Sequence, residues 1–261
     1  MRRTNQTALI TGPTSGIGEE FAKQLAASGY NLVLVARNEG KLAKMCVKFT
    51  KQFGIEAHYI VADLAQSDAP KKVFQQTAAR GTQVDILINN AGIDVYAPFA
   101  ESDWQEIQRL IYLNVTASLH LTHLFLPGMV RRHHGHILNL GSIGSFIPGP
   151  NNSVYAATKA LVLSFSRGLA EELRGTNVGV TCLSPGAVRT AFADKSDLNG
   201  TILFKHTSSA PEVVAAAGIH AMQHHKQVCV PGLINKLIVF FNRFVPGRWV
   251  TRISKWAMLR R

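Results

Sequence analysis

The chain has few cysteines, no long apolar run and no linker-like segment, and each shortage excludes a class of protein. Its three cysteines, Cys46, Cys182 and Cys229, include no C-x-x-C pair, so we interpret them as small core residues in a reducing compartment. No apolar run approaches the ~20 residues that span a bilayer. The run ALI after MRRTNQ is too short for a secretory leader. No Pro-, Gly- or Ser-rich segment divides the 261 residues, which predicts one domain.

Metal and nucleic-acid sites are not indicated either. His133, His134 and His136 lie beside a glycine, but no acidic or cysteine side chain nearby completes a ligand set. We interpret these histidines as a solvated connection and expect no metal. The net charge of +12 is concentrated near the end of the chain, since residues 232–261 contain seven Lys and Arg and no Asp or Glu. Without a recognition motif, such basicity supports only non-specific attraction to anions, so no nucleic-acid partner is expected.

Short apolar runs alternate with amphipathic stretches along the chain. This pattern predicts an α/β fold in which helices cover both faces of a doubly wound parallel sheet. Seven strands are predicted, in the segments TALIT, NLVLVA, HYIVAD, VDILINN, HILNLGS, VGVTCLS and QVCV. The helix after the fourth strand is predicted to begin at Ser102, with Gln105 as its capping partner. Ligands of such sheets bind at the carboxyl ends of the strands.

A glycine-rich turn, TGPTSGIG, joins the first predicted strand to the first helix. Gly12 allows a tight turn, Gly16 allows the backbone to approach a phosphate, and Gly18 allows close packing of the helix. The free amides at the start of the helix would then face a pyrophosphate. Taken alone, the G-x3-G-x-G spacing also fits a plain αβ turn. Its position at the first strand–helix junction favours cofactor binding.

Tyr155 and Lys159 are four positions apart, and Ser142 ends a predicted strand thirteen positions before Tyr155. On a helix, positions i and i+4 share a face, so the ammonium can lie beside the phenol. We therefore expect Lys159 to lower the pKa of Tyr155 towards the range where proton exchange with an alcohol or carbonyl is efficient. A Y-x-x-x-K pair by itself also fits an ordinary amphipathic helix. Together with Ser142 and the glycine turn, it predicts an enzyme that transfers hydride.

With these motifs, the chain resembles the short-chain dehydrogenase/reductase family of NAD(P)-dependent enzymes from Thr11 to Thr190. The resemblance implies a Rossmann-like fold and reversible hydride transfer between a carbonyl and an alcohol. It implies that Tyr155 donates or accepts the proton and that Ser142 binds the substrate oxygen. Lys159 would hold the nicotinamide ribose, and Asn114 in YLNVT would support a water-linked proton relay to that lysine.

The resemblance also implies a set of cofactor-binding residues. Related NAD enzymes carry an acidic residue at the end of the second strand, whereas this chain has Ala36 followed by Arg37. A guanidinium can pair with a 2′-phosphate, so NADP(H) is expected over NAD(H), although a solvated arginine would look the same. Asp63 would contact adenine, and the Val188 backbone and Thr190 hydroxyl would meet the carboxamide. The full set is Gly12, Thr14, Ser15, Gly16, Ile17, Gly18, Arg37, Asp63, Leu64, Asn90, Ala91, Gly92, Tyr155, Lys159, Pro185, Gly186, Val188 and Thr190.

The catalytic domain is predicted to cover residues 1–231. The substrate would be bound by a loop at about 190–211, together with residues 144–150. The apolar residues of the first loop favour a hydrophobic carbonyl or alcohol; they are Phe192, Leu198, Ile202, Leu203 and Phe204. An alternative is a catalytically idle, NADP-binding scaffold or regulator associated with a membrane or a protein partner. The intact set of Ser142, Tyr155 and Lys159 argues against that alternative.

Residues 232–261 are predicted to form a basic extension of two short amphipathic helices separated by Pro246 and Gly247. Two interpretations stay open. The helices pack on the domain or on a second subunit, or they lie in a membrane interface with tryptophans at the headgroup level and basic residues near anionic lipid. The chain is therefore expected to be a cytoplasmic homodimer or homotetramer acting on a small molecule, with peripheral membrane contact under the second interpretation.

Overall fold

A computed structural model describes residues 4–190 and 208–257 of the chain. Its centre is a seven-stranded sheet in the order β3-β2-β1-β4-β5-β6-β7, and every neighbouring pair is parallel. The predicted doubly wound, Rossmann-like α/β fold is thereby confirmed. The strands are β1 Thr7–Thr11, β2 Asn31–Ala36, β3 Ala57–Val61, β4 Ile86–Asn89, β5 Gly135–Leu140, β6 Val178–Leu183 and β7 Val228–Cys229.

Nine α-helices lie within the described residues. They are α1 Gly16–Ala27, α2 Glu39–Phe53, α3 Ala69–Ala79, α4 Trp104–Ile111, α5 Ala117–Arg131, α6 Ser153–Glu172, α7 Pro211–Gln223, α8 Leu233–Phe241 and α9 Gly247–Ala257. A π-helical segment, Tyr112–Thr116, joins α4 to α5, and a short 3-10 turn, Ile143–Ser145, follows β5. The two helices predicted beyond residue 232 are confirmed as α8 and α9.

Two apolar cores lie on opposite faces of the sheet. Helices α1, α2 and α7 cover one face, and their buried side chains include Phe21, Phe49 and Ile219. Helices α3, α5 and the end of α6 cover the other face, where Val73 and Leu121 are buried. The central strands are buried on both sides, which explains why their sequences are continuously apolar rather than alternating. This arrangement leaves the carboxyl ends of the strands as the edge where loops can form a site.

Helix α4 begins one residue later than predicted. The Asp103 carboxylate accepts hydrogen bonds from the backbone N–H groups of Gln105 and Glu106, at 2.6 and 3.1 Å. The Ser102 hydroxyl instead donates to the carbonyl oxygen of Pro98. The predicted Ser102 cap is therefore wrong, since an ionised carboxylate is the better acceptor for the amides that begin a helix.

The histidine cluster before β5 is only partly solvated. His133 and His134 are exposed, as expected. His136 is instead buried within β5, with its Nε2 2.9 Å from the Thr181 hydroxyl. Burial lowers the pKa of His136 to about 3, so the ring stays neutral. The prediction of a solvated connection is wrong for this residue. Across residues 4–190 and 208–257, no group of three His, Cys, Asp or Glu side chains is placed to hold a metal.

None of the described helices combines the length and the apolar character needed to cross a membrane.

Candidate active site

The glycine turn between β1 and α1 requires its glycines. Gly12 and Gly16 have φ values of +65° and +60°, a conformation that side chains with a Cβ rarely adopt. A Cβ on Gly18 would lie 2.3 Å from the Gly12 carbonyl oxygen and 2.4 Å from Asn90 Nδ2. The close packing predicted for Gly18 is therefore confirmed, because any side chain there would separate α1 from the sheet.

The end of β4 holds the glycine turn in place. Asn90 donates from Nδ2 to the carbonyl oxygens of Thr11 and Gly12, at 2.9 and 3.1 Å. The Thr11 hydroxyl accepts from the backbone N–H groups of Asn90 and Ala91, each at 2.9 Å. Within α1, the first backbone hydrogen bond runs from Glu19 N–H to the Ser15 carbonyl oxygen. The amides that begin α1 thus lie beside a rigid turn in which the glycines leave space, an arrangement that fits a dinucleotide pyrophosphate.

Two arginines surround Asp63, which follows β3. Arg109 of α4 donates from Nη2 to Asp63 Oδ2 at 2.7 Å, and the Ala65 N–H donates to Oδ1. Partial burial opposes ionisation of Asp63, but these hydrogen bonds and the charges of Arg109 and Arg37 hold its pKa below the usual value. Arg37 itself is exposed at the end of β2. The sequence did not reveal Arg109, because its partner is 46 residues away in the chain.

The loop after β5 positions Ser142. Its hydroxyl accepts a hydrogen bond from the Gly144 N–H at 3.1 Å, and its own N–H donates to the Ser145 hydroxyl. A hydrogen bond also joins Ser142 to Tyr155 of α6. A Cβ on Gly141 would lie 2.7 Å from the Ser184 hydroxyl oxygen, so this loop packs directly on the end of β6. The predicted pairing of Ser142 with Tyr155 is confirmed as a spatial contact.

Lys159 lies beneath Tyr155, as the i and i+4 spacing predicts. Its Nζ is 5.5 Å from the centre of the Tyr155 ring and donates to the Leu140 carbonyl oxygen at 2.7 Å. Burial lowers the pKa of Lys159 to about 8, although Cys182 and Asp94 act in the opposite direction. The lysine can therefore lose or gain a proton near neutral pH.

The protein does not lower the pKa of Tyr155 as predicted. Burial of the hydroxyl raises this pKa strongly, and the nearby Asp94 carboxylate raises it further. The hydrogen bond from Ser142 acts in the opposite direction but is weaker. The expectation of an acidified phenol is wrong for the polypeptide, because desolvation and the Asp94 charge together outweigh the Ser142 hydrogen bond. Tyr155 is thus held in its protonated form at neutral pH.

Asn114 lies at the centre of the π-helical segment and is buried. Its Oδ1 accepts from the Ile93 N–H and its Nδ2 donates to the Ile93 carbonyl oxygen, both at 2.9 Å. A Cβ on Gly92 would lie 3.1 Å from Asn114 Oδ1 and 3.8 Å from Lys159 Nζ. Asn114 and Lys159 therefore flank the same backbone position, which agrees with the predicted neighbourhood of these two residues.

Asp94 is a second ionisable group that the sequence did not reveal. It follows the segment Asn90-Ala91-Gly92, and its Oδ2 accepts a hydrogen bond from Asn152 Nδ2 at 3.1 Å. Its Oδ1 is buried and has no hydrogen-bond partner among the described residues. Burial raises the pKa of Asp94 to about 6, and its charge acts on both Tyr155 and Lys159. A carboxylate two positions after Gly92 was the only sequence signal.

The loop after β6 closes the site from the other side. Val188 forms a parallel bridge to Ser209, and the Thr190 hydroxyl donates to the Val188 carbonyl oxygen at 3.4 Å. A Cβ on Gly16 would lie 2.8 Å from Thr190 Cγ2, so this loop reaches the glycine turn. Pro185 accepts a hydrogen bond from the Ile143 N–H at 2.8 Å. The apolar residues predicted to bind substrate, Phe192, Leu198, Ile202, Leu203 and Phe204, lie outside the described residues.

The site therefore joins a turn shaped for a dinucleotide to a Ser–Tyr–Lys cluster at the same sheet edge. The family model for short chain dehydrogenases matches residues 6–199. The chain belongs to the short-chain dehydrogenase/reductase family. Its relatives in this family support an NAD(P)-dependent activity on CH–OH and C=O groups. Neither this family match nor the similar proteins described next support the alternative of an idle scaffold.

Two relatives and one solved structure show what this chain is similar to. The chain is 38% identical over 190 residues to a very-long-chain 3-oxoacyl-CoA reductase of Phaeosphaeria nodorum; the match covers 71% of this chain but only 56% of that protein. It is 32% identical to the protein of the same name from Rattus norvegicus, covering 97% of this chain and 85% of the relative. A short-chain dehydrogenase from Sphingobium yanoikuyae in complex with NADPH has a TM-score of 0.82 and 30% identity, covering 92% and 93% of the two chains.

Proposed function

We propose that the chain uses NADP(H) to interconvert a hydrophobic carbonyl compound and its alcohol. The observation that carries this proposal is the meeting of Ser142, Tyr155 and Lys159 at the carboxyl end of β5, beside the glycine turn of α1. A bound nicotinamide supplies or accepts the hydride. The three side chains supply the other requirements of the reaction. These are a proton for the substrate oxygen, a hydrogen bond to that oxygen and a route by which the proton is replaced.

Tyr155 exchanges the proton with the substrate oxygen. Its hydroxyl is protonated at neutral pH, as a proton donor must be during carbonyl reduction. Ser142 binds the same oxygen, since its hydroxyl already contacts Tyr155 and is held by the Gly144 N–H. Alcohol oxidation is the reverse reaction, in which Tyr155 must first lose its proton.

Lys159 and Asn114 return a proton to Tyr155. The Lys159 pKa of about 8 allows the ammonium to give up a proton close to the working pH. Asn114 is fixed by two hydrogen bonds to Ile93 and a weaker one to Thr158, so its amide can hold a water beside Lys159. The relay predicted from the family resemblance is thus supported by the positions of both residues.

NADP(H) is proposed over NAD(H) because of the charge at the end of β2. Arg37 stands where an acidic residue would bind a ribose hydroxyl, and Arg109 adds a second positive charge near Asp63. The structural relative from Sphingobium yanoikuyae was solved with NADPH. The remaining predicted contacts, at Thr14, Ser15, Ile17 and Leu64, are part of this proposal.

A long-chain 3-oxoacyl thioester is the first substrate to test, since two relatives are named very-long-chain 3-oxoacyl-CoA reductases. Phe146, which packs with Val162, Leu163 and Cys182, gives the Ser142 loop an apolar side. We expect purified protein to oxidise NADPH with at least one member of a panel of 3-oxoacyl thioesters, steroid ketones, retinaldehyde and aromatic ketones. Absorbance of NADPH measures this directly. Tight NADPH binding without turnover on the whole panel would contradict the proposed function.

A cytoplasmic homodimer or homotetramer is proposed as well, because members of this family commonly assemble into oligomers. The proposed domain division is 1–231 for catalysis and 232–261 for the basic extension. Light scattering of the full-length protein measures the assembly.

Replacing Asp94 with Asn should change the pH dependence of alcohol oxidation. Above pH 6 Asp94 is ionised and raises the pKa of Tyr155, so the variant should lose the Tyr155 proton at lower pH. The pH of half-maximal oxidation should therefore fall. Asp94 also raises the pKa of Lys159, so its removal lowers that pKa and lets Lys159 lose its proton at lower pH as well. Reduction at neutral pH should change little, since Tyr155 is protonated in both proteins.

The same variant should be more stable at neutral pH. In the folded protein the Asp94 pKa is raised from 3.8 to about 6, so stability is lost as pH rises between these values. This pKa shift corresponds to roughly 3 kcal/mol of folding free energy at pH 7. The Asp94→Asn variant should be more stable than the parent by about that amount at pH 7, and the difference should vanish near pH 4. Asp68→Asn is the control, because Asp68 is exposed and pairs with Lys72. Denaturant unfolding at both pH values measures the gain; equal stability of parent and variant at pH 7 would show that Asp94 does not carry the buried charge.

A further inference from the structure

Helices α8 and α9 expose two stripes of large apolar side chains. The α8 stripe, which extends into the following turn, consists of Leu233, Leu237, Phe240, Phe241 and Phe244, and the α9 stripe consists of Trp249, Ile253 and Trp256. These side chains are between 45% and 73% exposed. Phe240 contacts both Phe241 and Phe244 with ring centres 5.4 Å apart, so the end of the α8 stripe is a continuous aromatic surface. An apolar surface of this kind usually marks an interaction site.

Packing on the domain explains only the opposite side of α8. Asn235 and Val239, one turn apart, are the buried residues of that helix. No residue of α9 is buried, so the described part of the chain does not cover the α9 stripe. The first interpretation of the sequence placed both helices on the domain or on a second subunit. The described part of the domain buries no residue of α9, and packing of α9 on a second subunit stays a prediction. The amphipathic pattern of α9 requires a partner from outside the described residues.

The charge of this segment determines what kind of partner fits. Residues 232–261 carry seven Lys and Arg and no Asp or Glu. Arg252 lies over the Trp249 ring at 5.4 Å, which places a cation at the edge of the α9 stripe. In a two-fold contact between copies, each surface meets itself, so these cations would face one another. A second copy is therefore disfavoured, whereas an anionic lipid surface satisfies both the apolar side chains and the cations.

The side of α8 opposite its stripe packs next to the substrate side of the active site. Asn242, just after α8, donates from Nδ2 to the Phe146 carbonyl oxygen at 2.8 Å, and Phe146 follows the Ser142 turn. At the start of α8, Asn235 donates to the Pro231 carbonyl oxygen at 2.8 Å. A Cβ on Gly186 would lie 2.4 Å from Asn235 Oδ1, so α8 packs directly on the loop after β6. Helix α8 thus spans the two loops that border Ser142.

We propose that the two stripes dock on an anionic phospholipid bilayer and that a hydrophobic substrate reaches Ser142 and Tyr155 from that bilayer. The tryptophans and phenylalanines enter the headgroup region, while the basic residues of α9 contact lipid phosphates and carboxylates. Docking is inferred only from the exposed stripes and the charge of the segment. Delivery of substrate also rests on the proposed oxidoreductase function.

Co-sedimentation of the full-length protein with vesicles tests docking without any assay of activity. Vesicles of phosphatidylcholine and phosphatidylserine should bind the protein at low salt, with weaker binding at high salt and on pure phosphatidylcholine. Each basic residue near the surface contributes roughly a fivefold change in affinity. The triple variant Arg248→Gln, Arg252→Gln, Lys255→Gln should therefore bind roughly 100-fold more weakly. Replacing Trp249 and Trp256 with Ser should also weaken binding.

The matched control removes the same charge from exposed positions of α2, through Lys44→Gln, Lys48→Gln and Lys51→Gln. This control should bind vesicles as the parent does. Absence of parent binding at low salt, or equal loss in both triple variants, would overturn docking. A smaller oligomer for the tryptophan variant, without vesicle binding by the parent, would instead identify the stripes as a subunit contact and also overturn it.

Kinetics in the presence of vesicles test delivery separately. For a long-chain carbonyl substrate, anionic vesicles should lower the KM of the parent severalfold and leave that of the α9 triple variant unchanged. A short, water-soluble carbonyl should show no such effect. Vesicle binding with an unchanged KM would overturn delivery and leave docking intact. Lack of turnover with every carbonyl compound would contradict the proposed function, while co-sedimentation would still decide docking.

Discussion

Replacing Tyr155 with Phe is expected to lower turnover by at least ~10²-fold, the usual contribution of a general acid. The substitution keeps the aromatic ring and removes only the hydroxyl that contacts Ser142. Because the Lys159 side chain also bonds to the Leu140 carbonyl oxygen, its position does not depend on that hydroxyl. NADPH affinity and thermal unfolding should therefore stay close to those of the parent. Steady-state NADPH oxidation and a fluorescence titration measure the two properties.

Tyr30→Phe is the matched control, since it removes a hydroxyl from a tyrosine just before β2, at the opposite edge of the sheet. It should leave turnover unchanged. If Tyr155→Phe retained parental turnover, Tyr155 would not be the proton donor. If the variant lost NADPH binding as well, the hydroxyl would have a structural or cofactor-binding role instead.

Replacing Arg37 with Asp should reverse the cofactor preference. The change removes the cation expected to pair with the 2′-phosphate and offers a carboxylate to a ribose hydroxyl. A charged hydrogen bond contributes roughly 1.5–3 kcal/mol, so NADP affinity should fall by about one to two orders of magnitude. NAD affinity should rise or stay constant. Binding titrations with both cofactors measure the ratio.

Arg131→Asp is the control for charge, since Arg131 is exposed at the end of α5, before β5 and away from the cofactor edge. It changes the net charge equally and should not alter the ratio of the two affinities. An aspartate at position 37 would also stand near Asp63, so unfolding should be measured to confirm that the sheet edge is intact. An unchanged ratio in folded Arg37→Asp protein would mean that Arg37 does not bind the phosphate and would direct attention to Arg109.

The sequence was sufficient to predict features that depend on neighbours in the chain. The order of strands and helices follows from local apolar patterns, and the Tyr155 and Lys159 contact follows from helix geometry. The close packing at Gly18 was predicted correctly because the glycine turn and α1 are adjacent in the sequence. The prediction that Ser102 caps α4 was wrong although it also concerned neighbours in the chain, because the Asp103 carboxylate accepts hydrogen bonds from the first amides of the helix.

Only the tertiary structure decided the electrostatics of the site. The predicted acidification of Tyr155 considered Lys159 alone, whereas burial and Asp94 raise that pKa. His136 looked solvated in the sequence but is buried against Thr181, a residue of the neighbouring strand. Arg109 reaches Asp63, and Asp94 reaches Asn152, across 46 and 58 residues of chain.

By itself, the sequence determined the fold class and the strand edge at which the predicted catalytic side chains meet, because spacing along a strand or helix sets which side chains share a face. The tertiary structure decided which of those groups are charged and which surface is left for a partner. The physical reason is that desolvation and Coulomb interactions depend on every atom within a few ångströms, and most of those atoms belong to residues distant in sequence.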